Sequence, residues 1–223
     1  MTSATDPVTQ SGAQPCHPQW DWQPLPRGAR AEPLARAWLS TQLALEPDTL
    51  PLVRDVRGRP RLHAPADAWD ANWSHSASGL LVACGRDVEL GVDVEWSGRA
   101  RPRAMDIAGR YFHPREADWL ASLGERDRAD AFLRLWCAKE AVLKAVGVGL
   151  VFGLHRLRFD PDLRLADCDA DLGDADAWRI DSFAPAPGFV AALAWRPRAA
   201  ARCAVEGNAL SSDPLSSGPK SPR

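Results

Sequence analysis

The chain has 223 residues, enough for one domain or two small ones with a real core. At 45% hydrophobic and 25% charged residues, its make-up is that of an ordinary soluble globular protein. With 27 basic and 29 acidic side chains the net charge is −2, so no global positive field favours nucleic acid, and no apolar run is long enough to cross a bilayer.

Residues 1–18 are polar and rich in Thr, Ser, Gln and Pro, and are expected to be a disordered tail. The first thirty residues lack the basic start and apolar segment of a signal peptide. The five cysteines (Cys16, Cys84, Cys137, Cys168, Cys203) are scattered without a CxxC, which argues against a disulfide framework or a zinc site. A reduced, cytoplasmic setting is therefore expected. From Glu32 to Leu45, the spacing of Leu34, Ala37, Trp38, Gln42 and Leu45 predicts an amphipathic helix that Pro47 ends, with Arg27, Arg30 and Arg36 around its start. Between Leu52 and Leu62, Arg57-Gly58-Arg59-Pro60 reads as a turn. After Asn72-Trp73-Ser74-His75-Ser76, the runs Gly79–Cys84 and Leu90–Glu95 read as two strands joined at Gly85-Arg86-Asp87, a hairpin.

In Gly91-Val92-Asp93-Val94-Glu95 the valines face one side and both carboxylates the other. Alone, Asp93 and Glu95 read equally well as a solvated strand face. A basic link, 97–103, leads to Tyr111–Glu116 and a short helix, Ala117–Leu123, with Pro114 near its start. The main helix follows from about Ala129 to Val146, stopped by Gly147 and Gly149. Its Glu140 and Lys144 stand one turn apart on a side that is otherwise apolar. A surface ion pair is the ordinary explanation, but these flanks favour a charged pair lining a cleft. Strands return at Leu157–Phe159, Trp178–Phe183 and Gly188–Trp195, and residues 198–223 are expected to be a second disordered tail. Helix followed by strands on both sides of 97–103 suggests an α+β fold of two similar halves, 19–100 and 101–197, with the active site in the cleft between them.

Asp93, Glu95 and Glu140 form an all-oxygen set that suits a hard cation such as Mg²⁺, with Mn²⁺ as an alternative, and Lys144 beside them suits an anionic ligand such as a diphosphate. Together with Trp136-Cys137-Ala138-Lys139-Glu140-Ala141-Val142-Leu143-Lys144, the GVDVE segment resembles the paired signature of the 4′-phosphopantetheinyl transferases, in their Sfp-type, pseudodimeric branch. Gly58-Arg59-Pro60 resembles the family's G-K-P turn, Asn72–Ser76 its N-x-S-H-S segment, and Phe112–Glu116 its F-x-x-x-E element. Arg59 stands where the family usually has lysine, and Trp73 where an aliphatic residue is usual.

The resemblance implies transfer of the 4′-phosphopantetheine arm of coenzyme A to a serine of an acyl or peptidyl carrier protein, with release of adenosine 3′,5′-bisphosphate. It implies that Asp93, Glu95 and Glu140 hold the metal and that Lys144 binds the transferred phosphate. His75 would contact the 3′-phosphate of coenzyme A with Ser74 nearby, and Arg59 and Arg27 would hold the nucleotide. Glu116 would help to deprotonate the serine. Lys139 reads either as a solvated neighbour or as a secondary phosphate contact. The expected protein is a monomer, with Arg99, Arg101 and Arg103 as candidates for the rim that receives an acidic carrier. Fatty-acid, polyketide, nonribosomal-peptide and lysine-pathway carriers fit equally. A catalytically silent binder of coenzyme A and a Mg²⁺-dependent coenzyme A hydrolase are the alternative readings.

Overall fold

A computed structural model describes residues 17–198, so both expected tails lie almost wholly outside the described residues. The few tail residues included are tied down: the His17 ring is 2.8 Å from Asp181, and Arg198 donates to the carbonyls of Trp69 and Val88. The chain opens with strand β1 (Gln19–Pro24), which sequence patterning did not suggest, and helix α1 (Ala31–Leu43). Short strands β2 (Leu52–Arg54) and β3 (Pro60–Leu62) pair around the expected turn, followed by β4 (Trp69–Ser76) and β5 (Gly79–Arg86). An antiparallel sheet forms in the order β1-β5-β4.

The next strand, β6 (Val88–Trp96), pairs with β10 (Phe189–Pro197), which in turn pairs with β9 (Arg179–Phe183). The expected hairpin of Gly79–Cys84 with Leu90–Glu95 is therefore not formed. The chain changes sheets at Asp87, which takes a left-handed conformation (φ 57°). Packing explains the change, because β5 is buried on both faces. Leu80, Val82 and Cys84 pack against Ala35 and Leu39 of α1, whereas Leu81 and Ala83 pack against Val88, Leu90 and Val92 of β6. The two strands stack face to face, and a run of buried residues does not reveal in advance which of the two arrangements it will take.

Where β4 runs beside β6, side chains replace the backbone ladder. The Leu90 N–H donates to Asp70 Oδ2 (2.8 Å), the Val92 N–H to Asn72 Oδ1 (3.2 Å) and the Trp96 N–H to Ser76 Oγ (3.1 Å). These acceptors stand an even number of residues apart along β4, as one strand face requires.

Helices α2 (Ala104–Tyr111), α3 (Pro114–Ser122) and α4 (Glu125–Val146) come next, then β7 (Leu157–Phe159) and β8 (Leu165–Cys168). The whole is a mixed α+β fold. Helix α4 lies on β6 and β10 through its small residues: the Cys137 thiol donates to the Val190 carbonyl, and Ala141 and Ala145 pack with Ala192 and Ala194. Gly91 permits the approach, since a Cβ there would sit 2.2 Å from the Ala141 carbonyl oxygen and 2.4 Å from the Ala145 nitrogen. Those are backbone atoms that cannot swing aside. Gly91→Ala is accordingly expected to cost about 3 kcal/mol, the upper end for overpacking, read as a fall in thermal midpoint or a loss of soluble protein. A wild-type midpoint for the variant would contradict this packing.

Candidate active site

Alternation along β6 assigns its residues to two faces. Leu90, Val92 and Val94 enter the core between the sheets, while Gly91, Asp93 and Glu95 face α4. One helical turn separates Glu140 from Lys144, so both reach the same stretch of strand. Lys144 Nζ lies 2.6 Å from Asp93 Oδ1 and donates to Ser74 Oγ at 2.9 Å, and the Ser74 hydroxyl donates to the same Asp93 oxygen at 2.9 Å. Burial works against the Lys144 ammonium, but Asp93 and Glu140 outweigh it and hold its pKa above the usual value.

Two features of this group are incomplete. Asp93 Oδ2 is buried and has no hydrogen-bond partner among the described residues. Glu140 is only 9% exposed, and nothing described donates to its carboxylate. Burial first, then the Asp93 and Glu95 charges, push Glu140 up to about 7, with Lys144 opposing. A buried carboxylate oxygen left without a donor is costly, and so are like charges placed together. The third expected ligand, Glu95, is held aside: its Oε2 accepts from Arg101 at 2.7 Å and from Ser76 at 3.1 Å. Among the described residues no three His, Cys, Asp or Glu side chains are arranged to cage an ion by themselves. The nearby Cys137 thiol is held protonated by its burial and by Asp93 and Glu95.

Beside Lys144 opens a cleft of about 200 Å³ lined by Arg54, Arg57, Gly58, Trp73, Leu143 and Gly147. The Arg54 guanidinium lies over the Trp73 ring at 5.0 Å and pairs with Glu32, while Arg57 is exposed. A larger hollow of about 610 Å³ lies elsewhere, bordered by Trp69, Glu89, Arg196 and Arg198. Arg196 there is paired with Glu89, Arg198 is bound to backbone carbonyls, and none of the site carboxylates lines it.

The structure separates the remaining expected site residues. Ser74 belongs to the Lys144–Asp93 group, whereas His75 is exposed on the opposite face of β4. Arg27 is exposed ahead of α1 and does not line the cleft. Arg59, expected on the nucleotide, borders the cleft but has its donors committed within the protein. It is 5% exposed, and its five N–H groups go to the carbonyls of Lys144, Pro60 and Leu90 and to both oxygens of Asp70. With every donor spent it straps the end of α4 to β3, β4 and β6. Glu116, expected as a base, and Lys139, expected at the surface or on a phosphate, are both buried and paired with each other at 2.7 Å. Burial brings Lys139 down to about 8, with Glu116 pulling the other way.

Asp70 was not singled out in the sequence, and Asn72 and Ser76 entered only within the N-x-S-H-S segment, without a role of their own. Their even spacing with Ser74 along one strand face was the available signal.

The segment 89–194 matches the family model described as the 4′-phosphopantetheinyl transferase superfamily. A Synechocystis sp. protein, slr0495, provisionally assigned as a 4′-phosphopantetheinyl transferase, is 34% identical over 66% of this chain and 60% of its own length. The 4′-phosphopantetheinyl transferase HetI of Nostoc sp. is 31% identical over 74% of this chain and 70% of its own. The transferase Sfp of Bacillus subtilis is 30% identical over 52% of this chain and 50% of its own. The match thus spans between 50% and 70% of the length of these relatives. Strand β6 from Glu89 and all of α4, the two elements that meet over Gly91, fall inside the matched segment, and the chain belongs to the 4′-phosphopantetheinyl transferase superfamily, among its Sfp-type members.

Proposed function

We infer that this protein moves the 4′-phosphopantetheine arm of coenzyme A onto a serine of an acyl or peptidyl carrier protein and releases adenosine 3′,5′-bisphosphate. One observation carries the reading: the buried Asp93 Oδ2 without a donor, close to a Glu140 carboxylate that also has none. Carboxylate oxygens without a thiolate suit Mg²⁺, with Mn²⁺ as an alternative. Asp93 and Glu140, with Glu95 at the edge, would supply part of the shell, leaving the rest to water and ligand oxygens, as is usual for Mg²⁺. When bound, such a cation neutralises a diphosphate and makes its phosphorus a better electrophile.

The chain's own residues do the positioning that phosphoryl transfer chiefly needs. Lys144, fixed by Asp93 and Ser74, places its positive charge at the mouth of the cleft for the transferred phosphate. The serine oxygen bonds to the phosphorus on the pantetheine side, and the bond from that phosphorus to the bridging oxygen breaks. The serine proton leaves to a nearby acceptor, a role that we assign to the Glu140 carboxylate. Arg57 and Trp73 line the cleft for the nucleotide, with His75 and Arg27 as further phosphate contacts. The link carrying Arg99, Arg101 and Arg103 borders Glu95 and is the rim assigned to the carrier.

The same reading takes the fold as two pseudo-twofold halves. Support comes from two three-stranded antiparallel sheets, one covered by α1 and the other by α4. Both halves in one chain favour a monomer. Among the described residues no helix is long and apolar enough to span a membrane, and three cysteines are free, so we assign a reduced cytoplasmic setting.

The test is to incubate the protein with Mg²⁺, coenzyme A and an apo carrier protein, and to weigh the carrier by mass spectrometry. A gain of one phosphopantetheine supports transfer. Intact coenzyme A with unchanged carrier would instead show a binder, and coenzyme A consumed without labelling would show a hydrolase.

A further inference from the structure

Lys139 precedes Glu140 in the chain but occupies a different side of α4, where its side chain is 0% exposed. Its ammonium has three N–H groups and three acceptors. It donates to the Leu154 carbonyl at 2.9 Å and the Leu157 carbonyl at 2.6 Å, and lies 2.7 Å from Glu116 Oε2. The rings of Phe112 and Phe159 flank it at 5.1 and 5.6 Å.

Glu116, 2% exposed, is equally committed. Its Oε2 also accepts the His113 N–H at 2.9 Å, closing the cap of α3, and its Oε1 accepts the Phe159 N–H at 2.7 Å. Lys139 keeps no donor for a phosphate, and Glu116 is buried with both of its oxygens engaged.

Burying both charges loses hydration that an exposed pair would keep, so stability alone does not explain the arrangement. What the pair ties together does. It joins the start of α3, the middle of α4 and the segment 154–159 that follows α4, and it does so one residue before Glu140. Successive helix residues are about 100° apart, so a small rotation of α4 would carry Glu140 and Lys144 off Asp93.

We propose that Lys139 and Glu116 are positioning residues, a buried ion pair that fixes the rotation of α4 so that Glu140 and Lys144 face Asp93. The inference rests on the transferase reading for its activity arm only, because cation binding tests it separately.

The test uses the full-length chain as wild type, Glu116→Gln, Lys139→Met and the double variant. It reads Mn²⁺ affinity by electron paramagnetic resonance, together with kcat and KM for coenzyme A in carrier loading. Each single variant leaves one buried charge unpaired, and is expected to weaken Mn²⁺ binding and lower kcat by about tenfold or more. The double variant removes both charges, and is expected to recover at least about tenfold in kcat over the weaker single variant. A lost proton acceptor is not restored by a second substitution. A double variant as inactive as Glu116→Gln, with wild-type Mn²⁺ and coenzyme A binding, would therefore overturn the proposal by making Glu116 chemical. Single variants with wild-type Mn²⁺ affinity and only a lower thermal midpoint would overturn it by making the pair merely structural. If a single variant fails to fold, Glu116→Asp, which keeps the charge but shortens its reach, takes its place with the same expected loss of Mn²⁺ affinity. A wild-type protein that binds Mn²⁺ but loads no carrier counts against the transferase reading alone.

Discussion

Glu140→Gln is expected to make the cation-free protein more stable at pH 8 while lowering carrier loading by about a thousandfold. The sign follows from the direction of its pKa shift. Glu140 is raised from 4.5 to about 7 by burial and by Asp93, with Lys144 opposing and Glu95 adding to the rise. The folded protein therefore holds this proton more tightly than the unfolded chain. Stability falls as pH rises through that interval, and above pH 7 the full cost of the buried charge is present. Gln removes the charge, so the variant should gain on the order of 1–3 kcal/mol at pH 8, and the gain should vanish below about pH 5. Mg²⁺ should raise the thermal midpoint of the wild type by mass action but leave the variant nearly unchanged. Thermal scans at two pH values, with and without Mg²⁺, check all of this. A variant less stable than wild type at pH 8 would show that Glu140 is a structural residue.

Lys144→Met should lose as much activity with the opposite effect on stability. Its ammonium is the partner of a buried carboxylate, 2.6 Å from Asp93 Oδ1, and it also holds Ser74. Met keeps the apolar stem and leaves Asp93 charged without its cation, at a cost of about 1–3 kcal/mol. Carrier loading should fall by about 10²–10³, the range seen when one preorganised charge is taken from a transition state. The Lys144 pKa is raised, so its contribution is present at neutral pH and is lost only as pH rises through that elevated value. The stability penalty of Lys144→Met should therefore be nearly flat from pH 6 to 9, where that of Glu140→Gln changes. Two inactive variants with opposite thermal shifts separate loss of chemistry from loss of fold. If both simply melt early, the group is a packing feature.

The central group was legible because its logic is local. Strand alternation puts Asp93 and Glu95 on one face, helical spacing puts Glu140 and Lys144 on one side, and Gly91 is the residue that lets strand and helix touch. That Arg59, Glu116 and Lys139 are buried and paired was not legible, for a shared physical reason. Whether a charged side chain is free depends on partners distant in the chain, here Asp70 and the carbonyls of Leu90, Lys144, Leu154 and Leu157. Local pattern carries no information about those. The same holds for β5 and β6, whose apolar runs announce burial but not whether they pair edge to edge or stack. Strand β1 was missed although Trp20 and Trp22 alternate with Gln19, Asp21 and Gln23, because so short a segment, half-exposed along a sheet edge, gives a weak signal.

The most direct measurement is anomalous diffraction at the manganese edge from crystals grown with Mn²⁺ and coenzyme A. One peak is expected within direct ligation distance of Asp93 Oδ2 and the Glu140 carboxylate, with the coenzyme diphosphate completing its shell beside Lys144. A peak only elsewhere, or a diphosphate bound away from Lys144 with Asp93 Oδ2 still unpartnered, would contradict this expectation.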